Sequence, residues 1–319
     1  MILSVSRRTD IPAFYTDWFF NRIKEGYVCV RNPMNVHQVS SISLSPEVVD
    51  CIVFWTKNAG PMLKRLDELN GYDYYFQYTV NDYGQEAEPC VPALKKRIDS
   101  FRQLSERIGK ERVIWRYDPI FFSDKYTAEK HLESFGYIAE ALKDHTEKCV
   151  FSFVDIYSSK NSRNMSVLRN RQPSPDEMDR FAGELSRIGK ANGLVLATCA
   201  EAIDLKKHGI EHNSCIDKEL IERITGSVLK VGGDGQRQNC GCIKCDDIGS
   251  YDTCPHGCVY CYANFRPDVV HDKMRRYDRN SPILCDSIDP LSDKVTQRPV
   301  KSYKLPKADD NADGQMTLF

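Results

Sequence analysis

Short, nearly continuous apolar runs recur along the chain, separated by longer stretches with apolar positions at helical spacing. Residues 2–5 (ILSV), 51–55 (CIVFW), 74–78 (YYFQY), 113–116 (VIWR), 149–154 (CVFSFV) and 194–198 (LVLAT) predict six strands. Strands apolar on both faces belong to a parallel sheet covered on both sides. Helices are predicted over 12–24, 61–69, 91–108, 128–143, 175–192 and 218–224, with Asp10 and Ser174 as caps of the first and fifth. Residues 27–31 and 38–42 predict a small hairpin insertion. Six successive βα units imply an α/β fold with helices outside a parallel sheet. The expectation is a partial, six-unit (β/α) barrel over residues 1–230, with an open doubly wound sheet as the alternative. A cysteine-rich segment over 231–266 is expected to pack on the barrel mouth, and the polar stretch 267–319 reads as a weakly ordered tail.

Polar residues cluster just past the strand ends. Ser6, Arg7, Arg8, Thr9 and Asp10 follow the first run; Thr56, Lys57 and Asn58 the second; Thr79 and Asn81 the third. Arg116 and Asp118 close the fourth, Asp155 and Tyr157 follow the fifth, and Thr198, Cys199 and Glu201 the sixth. In βα barrels that rim carries the active site. Strand-end loops are also polar for structural reasons, because they cap helices and pair among themselves. Asp10, Asp118, Asp155 and Glu201 are the candidate catalytic carboxylates, and Arg8, Lys57 and Arg116 the candidate cations for a cofactor or substrate.

Composition narrows the function classes. The chain has 319 residues, 41% hydrophobic and 28% charged, with a net charge of −1, so it is globular and not a bulk nucleic-acid binder. No run approaches the roughly 18 apolar residues of a membrane span. Ser6-Arg7-Arg8 echoes a twin-arginine export signal, but Asp10, Asp17, Arg22 and Lys24 interrupt the apolar region that should follow. A cytoplasmic location is expected.

Thirteen cysteines are present, and six of them crowd into residues 240–261. Such crowding in an intracellular chain of this size points to metal. Cys254, Cys258 and Cys261 form a C-x3-C-x2-C loop, with Gly257 free to make the turn. Three thiolates at this spacing can hold a 4Fe–4S cluster with one iron open. The alternative is a structural zinc site drawing also on Cys240, Cys242 and Cys245. That upstream trio is open between a second cluster, a zinc site and free thiols. The other cysteines are scattered; Cys51 and Cys149 read as core, and burial is the reading for Cys199 at its strand end as well.

The three-cysteine loop, with Tyr260 before its last cysteine, resembles the signature of radical S-adenosylmethionine (SAM) enzymes. The resemblance implies SAM on the open iron, cleavage to methionine and a 5′-deoxyadenosyl radical, Tyr260 near the adenine, and an electron donor such as flavodoxin or ferredoxin. Across nearly the whole chain, SVSRRTDIPAFY, VRNP, FWTKN, WRYDP, DIGSYDTCPHGCVYCYANF and the closing QMTLF resemble domain-of-unknown-function family 1848, which implies no settled substrate. Radical SAM enzymes mostly carry this loop after the first strand, whereas here it follows the sixth. Gly232-Gly233-Asp234 is only an echo of their Gly-Gly-Glu motif. The final residues, with Gln315, Leu318 and Phe319 as anchors, resemble the short peptide that docks on the DNA sliding clamp. Together these point to a radical enzyme of DNA repair or modification. The competing reading is a non-enzymatic zinc or iron–sulfur protein that docks on a partner through its tail.

Overall fold

The six apolar runs form strands of a single parallel sheet. The computed structural model describes residues 1–155, 159–235, 240–264 and 266–306, with residues 159–162 by backbone alone. Its elements in chain order are β1 (Ile2–Val5), α1 (Ile11–Phe14), α2 (Thr16–Glu25), β2 (Tyr27–Asn32), β3 (Asn35–Ser43), β4 (Cys51–Thr56) and α3 (Gly60–Leu63). Then come β5 (Tyr74–Thr79), α4 (Leu94–Ile108), β6 (Val113–Ile120), α5 (Ala128–Ala141), β7 (Lys148–Phe153), α6 (Ser159–Ser166) and α7 (Pro175–Ala191). The chain continues through β8 (Val195–Thr198), β9 (Glu211–His212), α8 (Lys218–Thr225), β10 (Asp246–Asp247), α9 (Pro267–Arg275) and β11 (Lys294–Gln297). The sheet order is β10-β1-β4-β5-β6-β7-β8-β9, parallel throughout. The predicted hairpin is real: β2 and β3 pair antiparallel, and β11 joins them in a second, three-stranded sheet.

Strand alternation sorts the side chains by face. Leu3, Val5, Phe54, Phe76, Trp115, Phe151 and Leu196 pack against the helices. Phe54 stacks on Phe76 at 4.6 Å between ring centroids, and Trp115 on Phe135 of α5 at 4.8 Å. Each such ring contributes roughly 2–3 kcal/mol through burial. The opposite face carries Ile2, Cys51, Val53, Tyr75, Ile114 and Val150, packed with Ile216, Ile221, Leu229 and Ile243. Further along the same strands this face turns polar, through Ser4, Gln77, Arg116 and Ser152. Apolar packing therefore closes one end of the inner face, and the polar end is left to form a cavity.

Two expectations change. The helix predicted over 12–24 is divided at Tyr15, whose buried side chain turns away to donate to the Thr253 carbonyl. Residues 267–306, read from sequence as part of a weakly ordered tail, are folded onto the sheets. Trp18 Nε1 donates to Ser281 O (2.8 Å), Arg22 Nη2 to Asn280 O (3.0 Å), and Arg31 pairs with Asp286 and Asp293 at 2.6 and 2.7 Å. Ile283, Leu284 and Cys285 are buried beneath them. The charge-rich composition hid three apolar anchors and the distant partners Trp18, Arg22 and Arg31. Nor are residues 231–266 set apart, since they supply the edge strand β10 beside β1. Tyr157, and Gln315, Leu318 and Phe319 of the closing peptide, lie outside the described residues. Among the described residues, no helix is long and apolar enough to cross a membrane.

His131 on α5 is buried between the Tyr117 hydroxyl and the Phe121 carbonyl, each 2.9 Å away. Burial lowers its pKa to about 4. The unfolded chain takes up this proton near pH 6.5 and the folded chain does not, so stability present above pH 6.5 is lost as pH falls toward 4. The loss expected from this residue is up to about 3 kcal/mol. Urea unfolding of the wild type and His131→Gln between pH 7 and pH 4 tests this: the variant should lose that part of the pH slope. Equal slopes would assign the acid sensitivity elsewhere.

Candidate functional site

At the C-terminal ends of the parallel strands lies a cavity of about 1310 Å³. Its lining includes Arg7, Arg8, Trp55, Lys57, Arg116 and Asp118, together with Asp155, Tyr260 and six cysteines: Cys199, Cys215, Cys240, Cys242, Cys245 and Cys261. The position is where α/β folds carry their ligands.

The three-cysteine loop is fastened to this rim by buried polar groups. Asp10 accepts four hydrogen bonds: from the Ala13 N–H that opens α1 (3.0 Å), from Thr56 Oγ1 and Lys57 N at the end of β4 (2.7 Å each), and from His256 Nε2 (2.8 Å). Asn264 straps the other side. Its Oδ1 accepts from the backbone of Thr253 and Cys254 (2.8 Å each), and its Nδ2 donates to Arg8 O (2.7 Å) and Cys261 Sγ (3.6 Å). Gly257 turns the loop at φ 69°, in the left-handed region. Asp247 on β10 accepts from Ser4, Ser6 and the Arg7 N–H (2.8, 2.6 and 2.9 Å). Next to it, a Cβ on Gly249 would fall 1.9 Å from Ser6 Oγ, so the close approach of these two segments requires glycine.

The cations at the mouth are paired. Lys57 Nζ reaches buried Glu88 at 2.8 Å, and Arg97 flanks the same carboxylate at 3.5 Å. Burial works against ionisation of Glu88, but these two charges outweigh it and hold the carboxyl below its ordinary range. The Tyr260 hydroxyl also donates to Glu88, and Lys57 sits 5.5 Å over the Tyr260 ring. Arg116 is buried; it pairs with Asp118, stacks over Trp55 at 5.4 Å and donates to Cys215 Sγ at 2.8 Å. Arg7 donates to Asp234 (3.3 Å) and Cys245 Sγ (3.2 Å). Arg8 donates from Nη1 to Gly249 O (3.3 Å), and stands 4.0 Å from Asp247 and 5.0 Å over the Tyr251 ring.

The predicted residues thus separate. Arg8, Lys57, Arg116, Asp118, Asp155 and Tyr260 line the cavity. Asp10 does not: it is buried, with both oxygens engaged, and it positions the loop instead of facing a ligand. Glu201 sits behind the rim, its Oε1 accepting from Phe153 N at 2.7 Å. Burial pushes its carboxyl up to about 7, against that N–H bond and with the Asp155 charge adding to the rise.

Cys254, Cys258 and Cys261 share the loop, with Cys261 on the cavity. Burial pushes the Cys254 thiol up to about 12 and the Cys258 thiol well above its ordinary value, and the neighbouring loop cysteines raise both further. Among the described residues no three cysteine, histidine or carboxylate side chains already enclose a single ion. Cys240, Cys242 and Cys245 lie apart from the loop but line the same cavity. Hydrogen bonding from the Cys242 side chain lowers the Cys240 thiol to about 7.

The family described as Domain of unknown function (DUF1848) matches residues 2–263. The chain belongs to this family. No curated protein matches the sequence. Among solved structures, a putative alpha-L-fucosidase from Bacteroides thetaiotaomicron is similar at 12% identity over 73% of this chain and 85% of that one, with a TM-score of 0.26. A likeness at that level carries no argument about activity.

Several members of this DUF1848 site escaped sequence reasoning. His256 and Asn264 stand within and just after the loop and are visible in CPHGC and CYANF, but nothing in those strings shows that they are its fasteners. Glu88 and Asp247 carry no motif. Cys199 and Cys215, which read as scattered, come together with their sulfurs 3.2 Å apart.

Replacing Asp10 by Ala removes four buried hydrogen bonds at once. It should lower unfolding free energy by roughly 3 kcal/mol or more. It should also raise the rate at which Cys254 and Cys258 react with a thiol reagent under native conditions. Unchanged labelling would show that His256 and Asn264 hold the loop without Asp10.

Proposed function

We propose that this chain is a radical SAM enzyme carrying a 4Fe–4S cluster on Cys254, Cys258 and Cys261. The observation that carries the reading is that this loop, with Tyr260 and Cys261, opens on the cavity at the C-terminal strand ends. The donor set fits: three thiols on one short loop, and an Asn264 N–H already directed at the Cys261 sulfur. In this reading the sheet is a (β/α) barrel, with the gap between β9 and β10 bridged by the Ile243 N–H to Ile216 O at 3.2 Å. A 4Fe–4S cluster held by Cys254, Cys258 and Cys261 would supply the one-electron reduction by which SAM is cleaved.

The remaining chemistry belongs to side chains. Tyr260, Tyr251 and Trp55 offer flat faces for an adenine or a nucleobase. The Trp55 indole N–H is buried without a hydrogen-bond partner among the described residues, so a ligand acceptor would satisfy it. Arg8 is the cation best placed to meet a carboxylate or phosphate, since Lys57 and Arg116 are already neutralised by Glu88 and Asp118. Asp118 and Asp155 are the candidate carboxylates that line the cavity. We place the substrate in DNA repair or modification, with Gln315, Leu318 and Phe319 docking on the sliding clamp and a flavodoxin or ferredoxin supplying electrons; sequence resemblance alone supports these partners. A cytoplasmic location goes with this reading.

Anaerobic reconstitution tests it. The wild type with dithionite and SAM should release 5′-deoxyadenosine. Cys258→Ala should lose about four irons per chain and all SAM cleavage. Zinc in place of iron, with no cleavage, would sink the reading in favour of a structural clip.

A further inference from the structure

Four cysteines from three separate stretches meet on the inner face of the sheet. Cys199 follows β8, Cys215 follows β9, and Cys240 and Cys242 lie on the segment leading to β10. Cys199 and Cys215 are in contact at 3.2 Å. Cys242 Sγ accepts from the N–H groups of both Cys215 (3.2 Å) and Ile216 (3.3 Å), and Cys240 packs against the same inner-face cluster. Cys215 Sγ also accepts from Arg116 Nη1 (2.8 Å) and Asn213 Nδ2 (3.6 Å). All four cysteines line the cavity.

A neutral thiol is a weak acceptor. Two backbone amides on one sulfur, and a guanidinium with a side-chain amide on another, are the surroundings of thiolates. The same N–H donors orient and tune sulfur ligands in metal centres. Nothing else on this face needs four thiols gathered on one stretch of the cavity wall, although they do not yet enclose a single ion. A core would place apolar groups here, and one dithiol would need only two. The nearby cations point the same way, because Arg116 and, through Cys245, Arg7 offset the negative charge that a thiolate-held metal leaves behind.

We propose that Cys199, Cys215, Cys240 and Cys242 bind a second, all-thiolate metal centre, a zinc ion or an iron–sulfur cluster, on the same cavity as the three-cysteine loop. The set differs from the trio Cys240, Cys242 and Cys245 that spacing suggests, since Cys245 is held aside by Arg7 and Asp234. Binding displaces the thiol protons to solvent. The centre uses none of the loop cysteines and stands whether or not the chain cleaves SAM.

The test uses the full chain with C254A, C258A and C261A combined, purified anaerobically. Metal and sulfide analysis should find about one zinc, or iron with matching sulfide, per chain. Zinc without sulfide identifies a single ion, and iron with sulfide a cluster; either supports the proposal. Cobalt(II) added to chelator-treated protein should give thiolate-to-cobalt charge-transfer absorption, lost when C199S and C242S are added. Should those added substitutions prevent folding, alkylation mapped by mass spectrometry on the loop variant itself decides. Cys199, Cys215, Cys240 and Cys242 should be protected with metal and labelled after chelation. No metal and no charge-transfer band, labelling indifferent to metal, or a Cys199–Cys215 disulfide in the metal-free protein would each overturn the proposal.

Discussion

The site depends on one buried carboxylate. Asp10 ends the loop after β1, caps α1, ties down the end of β4 and accepts from His256 in the middle of the cysteine loop. Four donors from three chain segments far apart in sequence converge on its two oxygens. A carboxylate this buried is costly to desolvate unless each lone pair is met. That requirement works in both directions, because the loop cannot leave without exposing an unsatisfied charge. The rim of the sheet and the cysteine loop are therefore one rigid unit, which suits a centre whose ligands must hold a fixed geometry.

The same logic governs the cavity walls. Lys57, Arg116 and Arg7 look like a positive funnel when read along the sequence, yet each is already matched by Glu88, Asp118, or Asp234 with Asp247. A large cavity lined by paired ions does not select a ligand by net charge. In the reading proposed above, selection would rest on shape, on the Trp55 indole, which lacks a partner among the described residues, and on the flat surface of Tyr251, Tyr260 and Tyr262.

Much of the fold was legible in the sequence because its strands are apolar on both faces, and such runs have few other uses. The βα order, the hairpin over β2 and β3, and the capping box at Ser174 all rest on local chemistry that a short window contains. The division of the first helix at Tyr15 was hidden, since it comes from a tertiary bond to Thr253. The ordering of residues 267–306 was hidden too: its anchors are sparse apolar residues and distant partners such as Trp18 and Arg31. The cysteine loop was visible because its ligands are neighbours. The contacts of Cys199 with Cys215 and of Cys215 with Cys242 were not, because three loops of the sheet have to be folded before those sulfurs share a face.

That contrast explains how a cysteine loop near the C-terminus can serve a site that begins at β1. What fixes a site in a parallel sheet is the C-terminal edge of the strands, and any segment that reaches this edge can supply ligands. Here β10 runs beside β1, and Asp247, bonded to Ser4, Ser6 and Arg7, brings the late segment to the early strand. Gly249 permits the close approach, and His256 completes it on Asp10. The order of elements along the chain is thus free to differ from that of enzymes with a similar cysteine pattern, while the place of the sulfurs relative to the sheet is not. Had β10 paired at the opposite edge, beside β9, the loop would have lost Asp10, Thr56 and Lys57 as fasteners, and Cys261 would have lost its place on the cavity.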